Sequence, residues 1–284
     1  MLKRLRENHP ILYCAASEAL FLVTITVISS LLVMLMLFAG VGYEDIDYNL
    51  LSALQEAAGA LVAVLLLRKT GRLELLQRRG SGFFNGLLVG MYPLAIILYN
   101  AYAKLLFGLP ENGSMLPISS ILTFFAYMTL VGVAEELLFR GVIAETLLEH
   151  FGTTRAGVWK ACIVSGLFFG AAHLLNLWGS AAFGVLMQCV FSASLGILFA
   201  AIYFRTGNIW VTTFLHAAMD AASLLVGGLY GTETVADTIS TYDATLLLSI
   251  AIYVLPVFFL LRKKKLGEVA LYFGKECQKQ VDEV

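Results

Sequence analysis

Charge is scarce in this chain. Only 14% of its 284 residues are Asp, Glu, Lys or Arg, and 59% are hydrophobic, whereas soluble domains run at about 25% charged and about 45–50% apolar. An ordinary water-soluble globule is thereby excluded. A net charge of −1 by itself says nothing about nucleic acid, and what matters is where the charges sit; no nucleic-acid partner is expected. Cysteine is scarce too. Cys14, Cys162, Cys189 and Cys277 form no CxxC pair, which argues against a redox motif, a cysteine metal site or a disulfide framework. The first three fall in apolar stretches and are expected to pack as small hydrophobes. Internal repeats, low-complexity tracts and domain-separating linkers are also missing, so a single membrane domain over 1–284 is expected. A signal-peptide cleavage site is missing as well. Lys3, Arg4 and Arg6 precede an apolar run from Ile11 to Phe38, far longer than the apolar core of about 7–15 residues in a secretory signal.

What the chain has in quantity is long apolar runs. A helix needs roughly 20 apolar residues to cross about 30 Å of hydrocarbon. By that rule spans are predicted near 11–38, 50–67, 83–107, 118–139, 159–178, 181–204, 208–229 and 244–261. The fold class is therefore all-α and polytopic, with about eight transmembrane helices embedded in the lipid bilayer. The segment Gly141 to Gly152 reads either as a continuation of the fourth helix or as an interfacial amphipathic helix. Placing the N-terminus in the cytoplasm puts every Lys and Arg except Lys104 on the inside. The outer loops then hold Glu44, Asp45, Asp47, Glu111, Glu233, Asp237 and Asp243 and no basic residue. This alternation is that of the positive-inside rule, and it predicts both termini cytoplasmic. The run Arg262 to Lys265 then meets an anionic inner leaflet.

Charged groups at membrane depth cost several kcal/mol unless paired or wet. Glu18 and Glu56 stand alone, near the ends of their spans, and are expected to reach an interface. The other intramembrane polar residues fall into three patterns. In Glu135-Glu136-Leu137-Leu138-Phe139-Arg140, Glu136 and Arg140 are four apart with the acid first, the favourable order for an ion pair on one helix face. Glu135 is turned about 100° away and lacks a local counter-ion, as suits a general base that takes a proton from water. An interfacial ion pair with a spectator acid is the alternative. The second pattern is Phe169-Gly170-Ala171-Ala172-His173, where small residues allow close helix approach and Phe169 packs one turn from the histidine. The third is His216-Ala217-Ala218-Met219-Asp220, with imidazole and carboxylate at i and i+4. By rise along the helices, His216 and Asp220 lie roughly 12–18 Å in from the cytoplasmic ends and His173 about 20 Å in. Glu135 meets them if its helix runs on towards Gly152, which predicts a cavity in the cytoplasmic half.

EELLFR, FFGAAH and HAAMD, in this order, resemble the EExxxR, FxxxH and HxxxN/D motifs of the CPBP family, also called Abi or CaaX-type intramembrane proteases, which includes the type II CaaX endopeptidases. GLFFGAAHLLN and FRTGNIWVTTFLHA look like that family's flanking runs. The resemblance covers about 118–229, implied to be a catalytic four-helix core. It implies an endopeptidase acting on a membrane-associated peptide or protein near the cytoplasmic face of a bacterial or archaeal cell membrane. Prenylated tails, bacteriocin or signalling precursors and anchor peptides are the implied substrates. Carried over, Glu135 activates a water held with His173, His216 and Asp220 stabilise the oxyanion, and Glu136 with Arg140 supports them. Asp220 stands where many relatives have asparagine. An ionised aspartate would repel an oxyanion, so Asp220 is expected either to be protonated or to orient His216.

No cofactor is favoured. Glu135, His173, His216 and Asp220 are acceptable zinc ligands, so a zinc-dependent protease is retained as an alternative. Against it, HExxH is absent, and using all four as ligands leaves only Glu136 as base. A non-proteolytic immunity or scaffold protein would keep the fold without using the acids. A proton-coupled transporter would show inverted repeats and paired broken helices, which the sequence lacks.

Overall fold

A computed structural model describes residues 1–274, and Cys277, Lys275 and Lys279 lie outside that range. The described chain is helical throughout, without strands. A short α1 (Leu2–Asn8) leads into α2 (Pro10–Phe38) and α3 (Tyr48–Thr70). Next come α4 (Phe83–Val89), α5 (Met91–Phe107) and α6 (Ile118–Glu136). The helix does not stop at Glu136. It continues through a π-helical stretch, Leu137–Ala144, into α7 (Glu145–Phe151), giving 34 residues from Ile118 to Phe151. Of the two readings of 141–152, the continuous helix is the one observed. Then follow α8 (Arg155–Ala172), α9 (Ala182–Thr206), α10 (Ile209–Ser223), α11 (Leu225–Tyr230), α12 (Val235–Ser240), α13 (Leu255–Leu260) and α14 (Leu266–Phe273).

Five continuous helices are long and apolar enough to span a bilayer, and two bent pairs raise the number to at most seven. The predicted span 83–107 is bent by 82° between α4 and α5. Pro93 sits in the first turn of α5, where its missing N–H is tolerated but a preceding helix cannot pass straight through. The predicted span 208–229 is broken at Leu224 into α10 and α11. The predicted span 244–261 is irregular before Pro256 and turns by 65° into α14. Pro256 cannot donate to Ile252 O four residues earlier, and the Tyr92 hydroxyl donates to that carbonyl instead, at 2.9 Å. In hydrocarbon an orphan carbonyl needs such a partner.

Burial separates the helices. In α2 only 11% of the apolar window is buried, against 61% in α9. Thus α2 lies at the lipid-facing edge, with Leu20, Val23, Val27 and Leu31 exposed, and α9 runs through the core. Small residues bring the inner helices together. A Cβ at Gly170 of α8 would stand 2.5 Å from Cys189 O of α9, and one at Gly132 of α6 would stand 2.9 Å from Thr213 O of α10. Gly170→Ala is therefore expected to separate α8 from α9 and lower stability by about 1–3 kcal/mol, read as a lower melting temperature of the solubilised protein. Cys14 and Cys162 are buried free thiols, as their apolar surroundings imply.

Two sets of contacts fasten the two ends of the bundle. At the basic end Glu145 is bound by Arg72, by Tyr203 and by Arg78 at 2.7 Å. Glu149 is bound by Arg72 and by Arg6 at 2.7 Å, and Arg205 Nε meets Glu268 at 2.6 Å. At the other end Thr123 donates to Asp47 at 3.0 Å, Leu116 N to Leu229 O at 2.8 Å, and Ala181 N to the Ser240 hydroxyl at 3.1 Å. The acidic loops belong to this second end.

Candidate active site

Each polar pattern is set by its helix. Glu135 and Glu136 close α6, and Arg140 lies one turn on in the π-helical stretch. The expected i,i+4 pair is formed. Arg140 Nη1 lies 3.0 Å from Glu136 Oε1, and both side chains are fully buried. The guanidinium makes no well-directed hydrogen bond. It sits between two rings instead, 4.7 Å from the centre of Phe169 and 5.4 Å from that of Phe199, where ring faces attract a desolvated cation. Phe169 also stacks edge-on to Phe139, His173 and His216. It is the aromatic hub of the site.

Glu136 has a second role that the sequence did not reveal. His216 of α10 turns its Nδ1 to Glu136 Oε1 at 2.9 Å. A carboxylate opposite Nδ1 fixes that nitrogen as the donor and aims Nε2 the other way. Nε2 lies 3.5 Å from Glu135 Oε2 and 3.5 Å from Asp220 Oδ2. Glu136, rather than Asp220, is therefore the group that orients His216. His173, just past the end of α8, turns Nδ1 to Phe169 O at 2.9 Å. A carbonyl only accepts, so Nδ1 carries the hydrogen. In the neutral ring Nε2 is then a free acceptor.

These side chains line one cavity of about 260 Å3, walled by Glu135, His173, His216 and Asp220 together with residues of α2, α3, α9 and α12. Glu135 is the least enclosed of the acids on α6, with 21% of its side chain exposed. The cavity runs from mid-bundle towards the end that carries the acidic loops. It is lined by the first halves of α3 and α9, by the ends of α8 and α10, and by Val235, Thr238, Ile239 and Tyr242 in and beside α12.

Glu56 departs from its expectation. Rather than reaching an interface it is 6% exposed and lines this same cavity. Its isolation at membrane depth was the sequence signal for it. Glu18 is likewise buried, at 8% exposed, on α2. Asn176 and Gln188, also on the wall, bond each other at 2.8 Å. Among the described residues no group of three or more His, Cys, Asp or Glu side chains converges as a metal site.

No curated protein and no solved structure matches the chain. A protein-family model does match, over residues 117–222, that of the Rce1-like type II CAAX prenyl endopeptidases. This segment begins just before α6 and ends in α10, so it includes Glu135, Glu136, Arg140, His173, His216 and Asp220. Residues 117–222 of this integral membrane protein are thus a domain of the type II CAAX prenyl endopeptidase Rce1-like family.

Proposed function

We propose that the chain is an intramembrane endopeptidase in which Glu135 is the general base for attack of water on a peptide bond. The observation that carries this is the junction at His216: Nδ1 is held by the Glu136–Arg140 pair, and Nε2 is aimed at the cavity between Glu135 and Asp220. A water between Glu135 and His173 Nε2 loses its proton to Glu135 as its oxygen attacks the carbonyl carbon. The oxyanion so formed is met by the Nε2–H of a doubly protonated His216, an imidazolium that the Glu136 carboxylate at Nδ1 and the acids beside Nε2 favour, and by Asp220 in its protonated form. Collapse of the intermediate breaks the C–N bond, and the proton on Glu135 passes to the leaving amine. Positioned proton transfer and oxyanion donors supply the two largest contributions expected of such a site. Residues 118–229 form the catalytic core in this reading, and the wall of α12 covers the bound peptide.

With the basic end cytoplasmic, by the positive-inside rule, the reacting groups sit near mid-membrane and the peptide-binding space extends to the outer half. The substrate is a membrane-associated peptide, such as a lipidated tail, a precursor or an anchor segment.

The test compares new peptide termini in host membranes carrying equal amounts of wild type or Glu135→Gln. Termini found only with wild type support the proposal and name a substrate. Identical sets in the native host would instead favour a scaffold. On that substrate, Asp220→Asn is expected to cleave within about ten-fold of wild type, since an amide still donates a hydrogen bond and Glu136 still orients His216. A single-turnover rate checks this, and a loss beyond a hundred-fold would return the orienting role to Asp220.

A further inference from the structure

Two side-chain amides are set into the cavity wall beside the reacting groups. Asn176 follows His173 by three residues in the 3-10 helix His173–Trp178. Such a helix has three residues per turn, so residues i and i+3 stand on one face, about 6 Å apart along the axis. Asn176 is thereby held over His173, on the side towards the acidic loops, and both line the cavity. Had α8 simply continued, Asn176 would be turned aside by about 60°. Gln188 of α9 faces it and accepts a hydrogen bond from Asn176 Nδ2 at 2.8 Å. The return bond is not made. Among the described residues Asn176 Oδ1 and Gln188 Nε2 have no partner, and both side chains are half-buried on the cavity wall. One carbonyl and one amino group thus remain free beside the reacting groups. Unpaired amides at membrane depth are costly, and a bound chain that pairs both removes that cost.

In an extended peptide the N–H and C=O of one residue point to the same side, so that residue can exchange two hydrogen bonds with a single partner. The free groups of Asn176 and Gln188 match it, with a C=O to accept and an N–H to donate. We propose that Asn176 and Gln188 form a backbone clamp that holds the substrate peptide extended and positions its scissile bond against Glu135 and His173. They are positioning residues that read the main chain rather than a side chain. At about 3.3 Å per extended residue, the rise from His173 to Asn176 puts the clamped residue about two positions from the bond cut. This rests on the reading of the cavity as the peptide site. The bond between the two amides also ties the 3-10 helix to α9, so the test has to separate grip on the peptide from that tie.

The experiment measures binding, so that it stands apart from turnover. Full-length protein carrying Glu135→Gln, to prevent cleavage, is placed in nanodiscs. The probe is an N-myristoylated octapeptide of alternating alanine and leucine, with each internal amide replaced in turn by an ester, which removes one N–H and adds no bulk. One ester position is expected to bind about two- to ten-fold more weakly than the all-amide peptide, the size of one neutral hydrogen bond. Asn176→Leu weakens the all-amide peptide by a similar factor and abolishes the ester penalty, because the acceptor is gone. Gln188→Glu keeps an acceptor for Asn176 Nδ2, and with it the tie to α9, but loses the N–H donor. It weakens every form alike and retains the ester penalty. A merely structural tie would leave the penalty in place in Asn176→Leu. That result, a scan with no sensitive position, unchanged binding by Gln188→Glu, or no saturable binding of the all-amide peptide would each overturn the proposal. If Glu135-dependent termini appear in host membranes but the scan is flat, only the clamp fails. If the scan behaves as expected but no new termini appear, the proteolytic reading fails instead.

Discussion

Hydrolysis by the Glu135→Gln protein is expected to fall by about 10²–10⁴-fold, the range a positioned acid–base group contributes, with the fold retained. Glutamine has the size of glutamate and can hold a water, but it cannot take the proton that the water must lose. The fold is insulated because Glu135 anchors nothing. Its nearest charged neighbour is His216 Nε2 at 3.5 Å, and part of the side chain is exposed to the cavity. Glu136→Gln serves as the contrast. Glu136 is fully buried, pairs with Arg140 and orients His216, so its loss lowers the rate and the melting temperature together. The measurement is the single-turnover rate on the substrate found by terminus comparison, beside the melting temperature of each purified variant. A Glu135→Gln rate within ten-fold of wild type would remove Glu135 from the chemistry.

Arg140→Met is expected to destabilise the protein by about 3–5 kcal/mol, because removing one member of a buried ion pair strands the other charge. Methionine fills much of the space between Phe169 and Phe199, so the loss reports the stranded Glu136 rather than a void. The double variant Arg140→Met with Glu136→Gln should recover a large part of the stability, since both charges are then gone. It should not recover activity, because a glutamine opposite His216 Nδ1 no longer fixes the ring as a carboxylate does. Equal melting temperatures for wild type and Arg140→Met would show that the pair contributes nothing to the fold. A double variant no more stable than the single would assign the effect to packing.

The parts of the site carried on one helix were legible in the sequence. The spacing of Glu136 and Arg140, and that of His216 and Asp220, follows from 3.6 residues per turn, and both pairs are neighbours in the structure. What crosses between helices was not legible. Which acid orients His216 depends on how α10 is rotated against α6, and that rotation is set by Gly132 lying against Thr213 and Ala217. The helical spacing suggested Asp220, and the packing selects Glu136. Glu56 was visible as an acid out of place, but its partners come from other helices, so its destination was hidden. Hydropathy placed apolar runs well and their breaks poorly. Pro93 and Pro256 were the local signals for two of the irregular spans, and averaging over about 20 residues conceals them.

The wide turn from Leu137 to Ala144 sets a phase relation along one rod. A π-helical stretch holds one residue more than an α-helix of the same length. Deleting a single residue there would let the rod rewind as uninterrupted α-helix. Glu145 is locked by Arg72, Arg78 and Tyr203, so the clamped end cannot turn, and the half that bears the acids would rotate by about 100°. That is also the angle between Glu135 and Glu136. The rod therefore acts as an indexed dial, fixed at one end, whose single surplus residue decides which acid faces the cavity and which faces Arg140.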